Sequence, residues 1–257
     1  MSIFRYCFES RTDFSTPVRD HSFMLRSFPL VDARQTLLDS RLRISPQPDS
    51  LSSGHDCWGA RIDYGFQGEA HSSFSYVSEG TVKVIPYPIA DKSPSTLFLM
   101  ESRMTVFAAE MASLIPEMRG TSYEKALEIS SRVKSAMSYV KNVTSADTTA
   151  AQAFSLRQGV CQDYAHIMIS ACRESGIPAR YVCGMIPGEG ETHAWVEIWS
   201  DGAWHGMDPT AGKICDDRYI AIAKGRDAGD CPVVRGIFKG CAVQSTRTIS
   251  SVEQSEQ

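Results

Sequence analysis

The chain has 257 residues, 42% of them hydrophobic and 22% charged, enough to bury one large core or two modest ones and too apolar for a disordered chain. A formal net charge of -4 with no long Lys or Arg run argues against a nucleic-acid partner or an anionic membrane surface. Arg5 and Glu9 interrupt the apolar residues of the N-terminus, unlike a secretory leader, and no later stretch is apolar enough to span a bilayer, so the cytoplasm is the expected location.

Met1 to about Tyr87 reads as strands. Phe4, Tyr6 and Phe8 alternate with Arg5 and Cys7, and Trp58, Ala60, Ile62, Tyr64 and Phe66 alternate with more polar neighbours. Short β-like runs are expected at 23–26, 42–44, 74–77 and 81–85, separated by turn-rich pieces such as 46–54. This pattern predicts a small antiparallel β domain over 1–88. Pro86, Pro88 and the 91–95 segment mark a linker, and a second domain is expected over 95–243.

The second region begins helical. Thr121-x-x-Glu124 has the form of a capping box ahead of Ala126, Ile129, Val133 and Met137 on one face, and Thr149-x-x-Gln152 starts a second, short helix. A third helix is predicted from about Cys161, with Gly176 and Pro178 as its stop. Strands follow at 179–186, 193–199 and 203–208, the last two joined by Asp201-Gly202, a tight-turn dipeptide. The polar residues 244–257 are expected as a partly disordered tail. The fold class is therefore α+β.

Eight cysteines, at 7, 57, 161, 172, 183, 215, 231 and 241, are irregularly spaced and include no Cys-x-x-Cys. They point to reduced thiols and argue against a disulfide framework or a thiol redox pair. Cys215, Cys231 and Cys241 are too widely spread, without a paired His, for a zinc site, so no metal and no cofactor is expected.

Cys161 sits where thiol chemistry wants it, at a helix start whose dipole and free N–H groups favour a thiolate, although it also falls in phase with the helix's apolar stripe, as an inert buried Cys would. A two-residue turn at Asp201-Gly202 puts His193 and Asp208 diagonally on one face of a hairpin, and a slip to Ser200-Asp201 puts them directly opposite. A three-residue loop would separate them. Together the three residues supply a nucleophile, a base and a group that orients the base. Gln158 is a possible oxyanion donor or an ordinary solvated loop residue, and Trp195 and Trp204 either pack the sheet or wall the cleft. His166 reads as a structural histidine, His205 faces away from Asp208, and Asp163 suits the helix dipole. Arg226, Asp227 and Arg235 line a cleft or form an internal ion-pair network.

The run Gly159-Val-Cys161-Gln-Asp-Tyr-Ala-His166, then Ile177-Pro-Ala-Arg180-Tyr-Val, His193-Ala-Trp195-Val-Glu197 and Asp208-Pro-Thr210 resembles the core of the transglutaminase-like superfamily. Gly225-Arg-Asp and Pro232-Val-Val-Arg-Gly236 resemble the C-terminal part of its bacterial branch, which also carries an N-terminal β region. The resemblance implies a papain-like domain, with a helix-borne Cys161 packed on an antiparallel sheet that bears His193 and Asp208, behind a small β domain. It also implies a cysteine peptidase or amidase, or acyl transfer to an amine, acting on a peptide, protein or small amide. A non-catalytic binding module on the same fold is the alternative. The oligomeric state is left open.

Overall fold

The computed structural model describes residues 1–117 and 119–255. One very long strand organises the first region. β1 (Ser2–Leu25) buries Phe4, Tyr6, Phe8, Ser10, Thr12 and Phe14 on one face while their neighbours are more exposed, the period-two pattern of a half-buried strand. Its register breaks between Asp13 and Val18, around Pro17, where a missing N–H costs no ladder bond. It is followed by β2 (Gln35–Ser45), β3 (Ser50–His55), β4 (Arg61–Gln67) and β5 (His71–Val84). The short strands expected at 23–26, 42–44, 74–77 and 81–85 thus fall, to within a residue, inside β1, β2 and β5, and the expected loop at 46–54 holds most of β3. Inward-facing Ser10, Thr12 and Ser78 broke the apolar alternation and hid the true strand lengths.

The chain then passes through β6 (Ile89–Ala90) and two 3-10 turns, Thr96–Phe98 and Ala109–Leu114, into α1 (Ser122–Ala136). β7 (Ser138–Tyr139), α2 (Ala150–Leu156), β8 (Gln158–Gly159) and α3 (Cys161–Glu174) follow. Reciprocal capping boxes start α1 and α2: the Thr121 hydroxyl accepts from the Glu124 N–H and the Thr149 hydroxyl from the Gln152 N–H. α3 ends where Gly176 takes a positive φ of 72° and the Ile177 N–H donates to the Cys172 carbonyl at 2.9 Å.

The remaining strands are β9 (Ala179–Met185), β10 (Gly188–Gly190), β11 (His193–Ser200), β12 (Ala203–Asp208), β13 (Lys213–Ile214), β14 (Ile220–Gly225), β15 (Val234–Lys239) and β16 (Gln244–Gln254). β13, β12, β11, β9 and β14 form an antiparallel sheet in that order, with β6 against β12. α3 lies on β11 and β9, flanked by α1 and α2, and every residue from Asp163 to Arg173 is buried. The fold is α+β and sheet-rich.

The two expected domains are less separate than the linker suggested. β10, β15 and β16 return from the second half to the eight-stranded sheet of the first. One apolar core runs from Phe4, Phe8 and Tyr76 through Phe154 and Met168 to Met185 and Ile222. Gln35 stitches the halves together, donating to the Leu30 and Ala221 carbonyls at 2.8 and 2.9 Å and accepting from the Ala221 N–H.

The expected tail is also different. Over Gln244–Gln254 it is a strand paired with β1, from Phe14 opposite Gln244 to Phe4 opposite Gln254. Its inward positions include Ser250 and Val252, and Thr246 and Thr248 meet the hydroxyls of Thr12 and Ser10 at 2.9 and 3.1 Å. Hydroxyl pairs in place of apolar contacts gave the segment its tail-like composition. Residues 256–257 of that expected tail lie outside the described residues.

Candidate active site

Asp201 and Gly202 have φ of 52° and 80°, both positive as a two-residue hairpin turn of this hand demands, and they pair Ser200 with Ala203, Trp199 with Trp204 and Val196 with Met207. The turn is thus Asp201-Gly202, not Ser200-Asp201. It places His193 and Asp208 on one face, with His193 Nε2 2.8 Å from Asp208 Oδ2.

The carboxylate is held from both sides. Its Oδ1 accepts the N–H groups of Thr210 and Ala211 at 2.9 and 3.0 Å, and its Oδ2 also accepts the Tyr219 hydroxyl at 2.8 Å. Burial alone would raise the Asp208 pKa, but the His193 hydrogen bond and charge, the Ala211 N–H and the Tyr219 hydroxyl together hold it below the usual carboxylate range. The same balance acts on His193. Burial favours the neutral ring, whereas Asp208 and the neighbouring Cys161 thiol push its pKa up to about 9. With Nε2 committed to Asp208, Nδ1 is the ring nitrogen left for the thiol.

Cys161 opens α3 and is half-buried. Asp163 fixes the entry to that helix: its Oδ2 accepts the Val160 N–H at 2.8 Å and the Thr144 hydroxyl at 2.7 Å. Gly159 is required here by space, since a Cβ would come within 2.5 Å of Asp163 Oδ2 and 2.8 Å of its Cβ.

Cys161 and His193 open on a cleft of about 1020 Å³. One wall comes from the second half, with Tyr139, Lys141, Tyr181 and Glu191, and the other from the first sheet, with β10 and residues 246–250 of β16. Lys141 and Glu191 form an exposed ion pair at the rim, 3.2 Å apart. The arrangement suits thiolate attack on a carbonyl presented in the cleft, with a protonated imidazole beside it to protonate a leaving group.

Several expected neighbours lie elsewhere. Gln158 is exposed, pairs with Ser138 through β8, and is absent from the cleft lining. Trp195 is fully buried behind His193, with its ring 6.4 Å from the imidazole and its indole N–H donating to Tyr87. Trp204 belongs to a separate cluster with Ile89 and Phe98, its indole N–H bound to Asp91 and its ring under the Arg180 guanidinium. Both tryptophans therefore pack the sheet and do not wall the cleft.

His166 is a core residue accepting the Ala228 N–H at 3.1 Å, and His205 packs on Tyr123, away from Asp208. Arg226 pairs with Asp230, Asp227 caps the Ala228–Asp230 turn, and Arg235 donates to the Gly229 carbonyl, all outside the cleft. Sequence reasoning missed Tyr219, the cleft-lining Tyr139 and Tyr181, and the whole wall formed by β10 and β16.

Comparison with known proteins fits this architecture. Residues 110–209 match the profile of the transglutaminase-like superfamily, and residues 4–83 that of the bacterial transglutaminase-like N-terminal region. An uncharacterized protein of Mycobacterium tuberculosis is 28% identical, the match covering 82% of this chain and 79% of that protein. A protein-glutamine gamma-glutamyltransferase of Pseudomonas aeruginosa is 39% identical over 70 residues, covering 22% of this chain and 10% of that protein. The crystal structure of a candidate cysteine protease from Cytophaga hutchinsonii superposes with a TM-score of 0.83 at 22% identity, covering all of this chain and 91% of the other, and so shares the fold. Among the described residues no helix is long and apolar enough to cross a membrane.

Proposed function

Because the chain belongs to the transglutaminase-like superfamily, with the bacterial N-terminal region ahead of the core, we propose that it is a thiol enzyme whose catalytic residues are helix-borne Cys161, His193 and Asp208. The observation that carries this reading is the 2.8 Å bond from His193 to Asp208 beside the Cys161 thiol, at the mouth of a cleft. In the reaction, the Cys161 thiolate adds to an amide carbonyl, His193 gives its proton to the leaving amine, and a thioester remains on the cysteine. Water then attacks the thioester, losing its proton to His193, and the acid product leaves with the thiol restored. The Cys161 backbone N–H at the start of α3 is the first oxyanion donor in this reading.

Hydrolysis of a peptide or amide is the preferred outcome, since a water-accessible cleft supplies the acceptor without further machinery. Transfer to an amine is the second reading, favoured by the local likeness to the gamma-glutamyltransferase. Eight free cysteines suit a reducing compartment, and we place the protein in the cytoplasm.

The test is the pH dependence of iodoacetamide labelling, mapped over all eight cysteines in the wild type and in His193→Ala. Rapid labelling confined to Cys161 below pH 7, and lost without His193, supports the enzyme. Labelling of Cys161 no faster than that of exposed Cys57 or Cys241 supports a binding module on the same fold.

A further inference from the structure

β16 pairs with β1 along its whole length, but its other edge carries β10 only at Ser250, Ser251 and Val252. From Gln244 to Ile249 that second edge has no strand beside it among the described residues. β10 sets the line a neighbour would follow, antiparallel to β16, and it leaves that line after Gly190 to deliver His193 to the other sheet. The unpaired edge is roughly 20 Å long, six residues of extended chain. Residues 246–249 of it line the same cleft as Cys161 and His193. An unpaired edge of this kind is a template for one more strand.

The slot continues into a second cavity. Gln244 and Thr246, two apart and so on one face of the strand, also line a space of about 530 Å³ walled by Phe14, Phe23 and Phe74. Thr246 borders both cavities. Charged residues around the cleft are mixed in sign, with Lys141 and Arg247 against Glu189 and Glu191, so recognition there falls to backbone and apolar contacts in preference to net charge.

We propose that the protein takes extended, unfolded peptide segments, adding them as a strand to the free edge of β16 with a large apolar side chain seated in the Phe14–Phe23–Phe74 cavity and an amide carbonyl presented at Cys161. The proposal rests on the thiol-enzyme reading for that last contact only. Main-chain pairing gives affinity without a fixed sequence, and the aromatic cavity gives preference for one bulky residue at a set distance from the attacked amide. Folded helical segments and amides too small to span the slot are excluded as good substrates.

The experiment uses the full chain as Cys161→Ala and a pool of random short peptides with blocked ends. Bound peptides are sequenced, amide exchange of the protein is followed by mass spectrometry, and one selected peptide is N-methylated a residue at a time. The expected result is slowed exchange at 244–249 and several-fold enrichment of Phe, Leu, Met or Tyr at one position. N-methylation should weaken binding about tenfold at alternate residues only, since alternate N–H groups make the ladder. No binding from the pool, protection elsewhere than β16, or indifference to N-methylation overturns the proposal. Binding to Cys161→Ala involves no thiol chemistry, so those results leave the catalytic reading to stand or fall on iodoacetamide labelling of the wild type.

Discussion

The Tyr219 hydroxyl lies 2.8 Å from Asp208 Oδ2, the same oxygen that meets the His193 imidazole. Two donors on one carboxylate oxygen fix its direction, and the phenol also stabilises the ionised form. In Tyr219→Phe the carboxylate keeps His193 and two backbone N–H groups but loses its fourth partner. The expected outcome is a rise of the Asp208 pKa toward the ordinary range, read by carboxyl carbon NMR. Stability should fall by about 1 kcal/mol in denaturant titration. An unchanged Asp208 titration would mean that Tyr219 only packs.

His193 sets the alkaline limit. Its folded-state pKa of about 9 lies above the unfolded value of 6.5, because Asp208 and Cys161 outweigh the effect of burial. A raised pKa contributes stability that is fully present below pH 6.5 and lost as pH rises through about 9, on the order of 3 kcal/mol in all. Denaturant unfolding of the wild type should therefore weaken across that window, and His193→Gln should show little of the slope. Amide turnover that needs the imidazolium as acid follows the folded-state value alone and should decline around pH 9. A flat stability profile between pH 6.5 and 9 would remove the ion pair from the site.

Gly159→Ala tests the entry to α3. A methyl there meets Asp163 at 2.5 Å, so either the carboxylate gives up its bonds to the Val160 N–H and the Thr144 hydroxyl or the backbone before Cys161 shifts. Overpacking of this kind costs about 1–3 kcal/mol. The variant should lose that much in chemical denaturation and label Cys161 more slowly than the wild type does. Retention of both properties would show that the loop tolerates the added volume.

What the sequence disclosed and what it hid separate along a physical line. His193 and Asp208 were legible together because Asp201-Gly202 fixes a two-residue turn, and strand parity carries that register a few residues outward. Thr121 and Thr149 announced α1 and α2 because a capping box is local. Tyr219 gave no signal, since it reaches Asp208 only after β13 and a turn bring it back. The wall made by β16 was hidden for a stronger reason. Its partner β1 lies at the other end of the chain, and the threonine and serine hydroxyls that join them have no apolar period to read.

Removal of residues 244–257 measures the consequence. A polar tail is dispensable, whereas β16 is an 11-residue strand that covers one edge of β1, buries Val252 and Ser250, and anchors β10 three residues ahead of His193. Truncation after Val243 strips the β1 edge of its ladder from Phe4 to Phe14 and leaves β10 with nothing to pair against. The expected loss is several kcal/mol, a large part of the net stability of a domain, so the truncated chain should melt far lower or fail to fold. Val252→Ala is the milder companion, expected to lose about 1–3 kcal/mol with the strand kept. Melting of the truncated protein at the wild-type temperature, followed by circular dichroism, would reduce β16 to an ornament of the fold and take the β10 wall of the cleft with it.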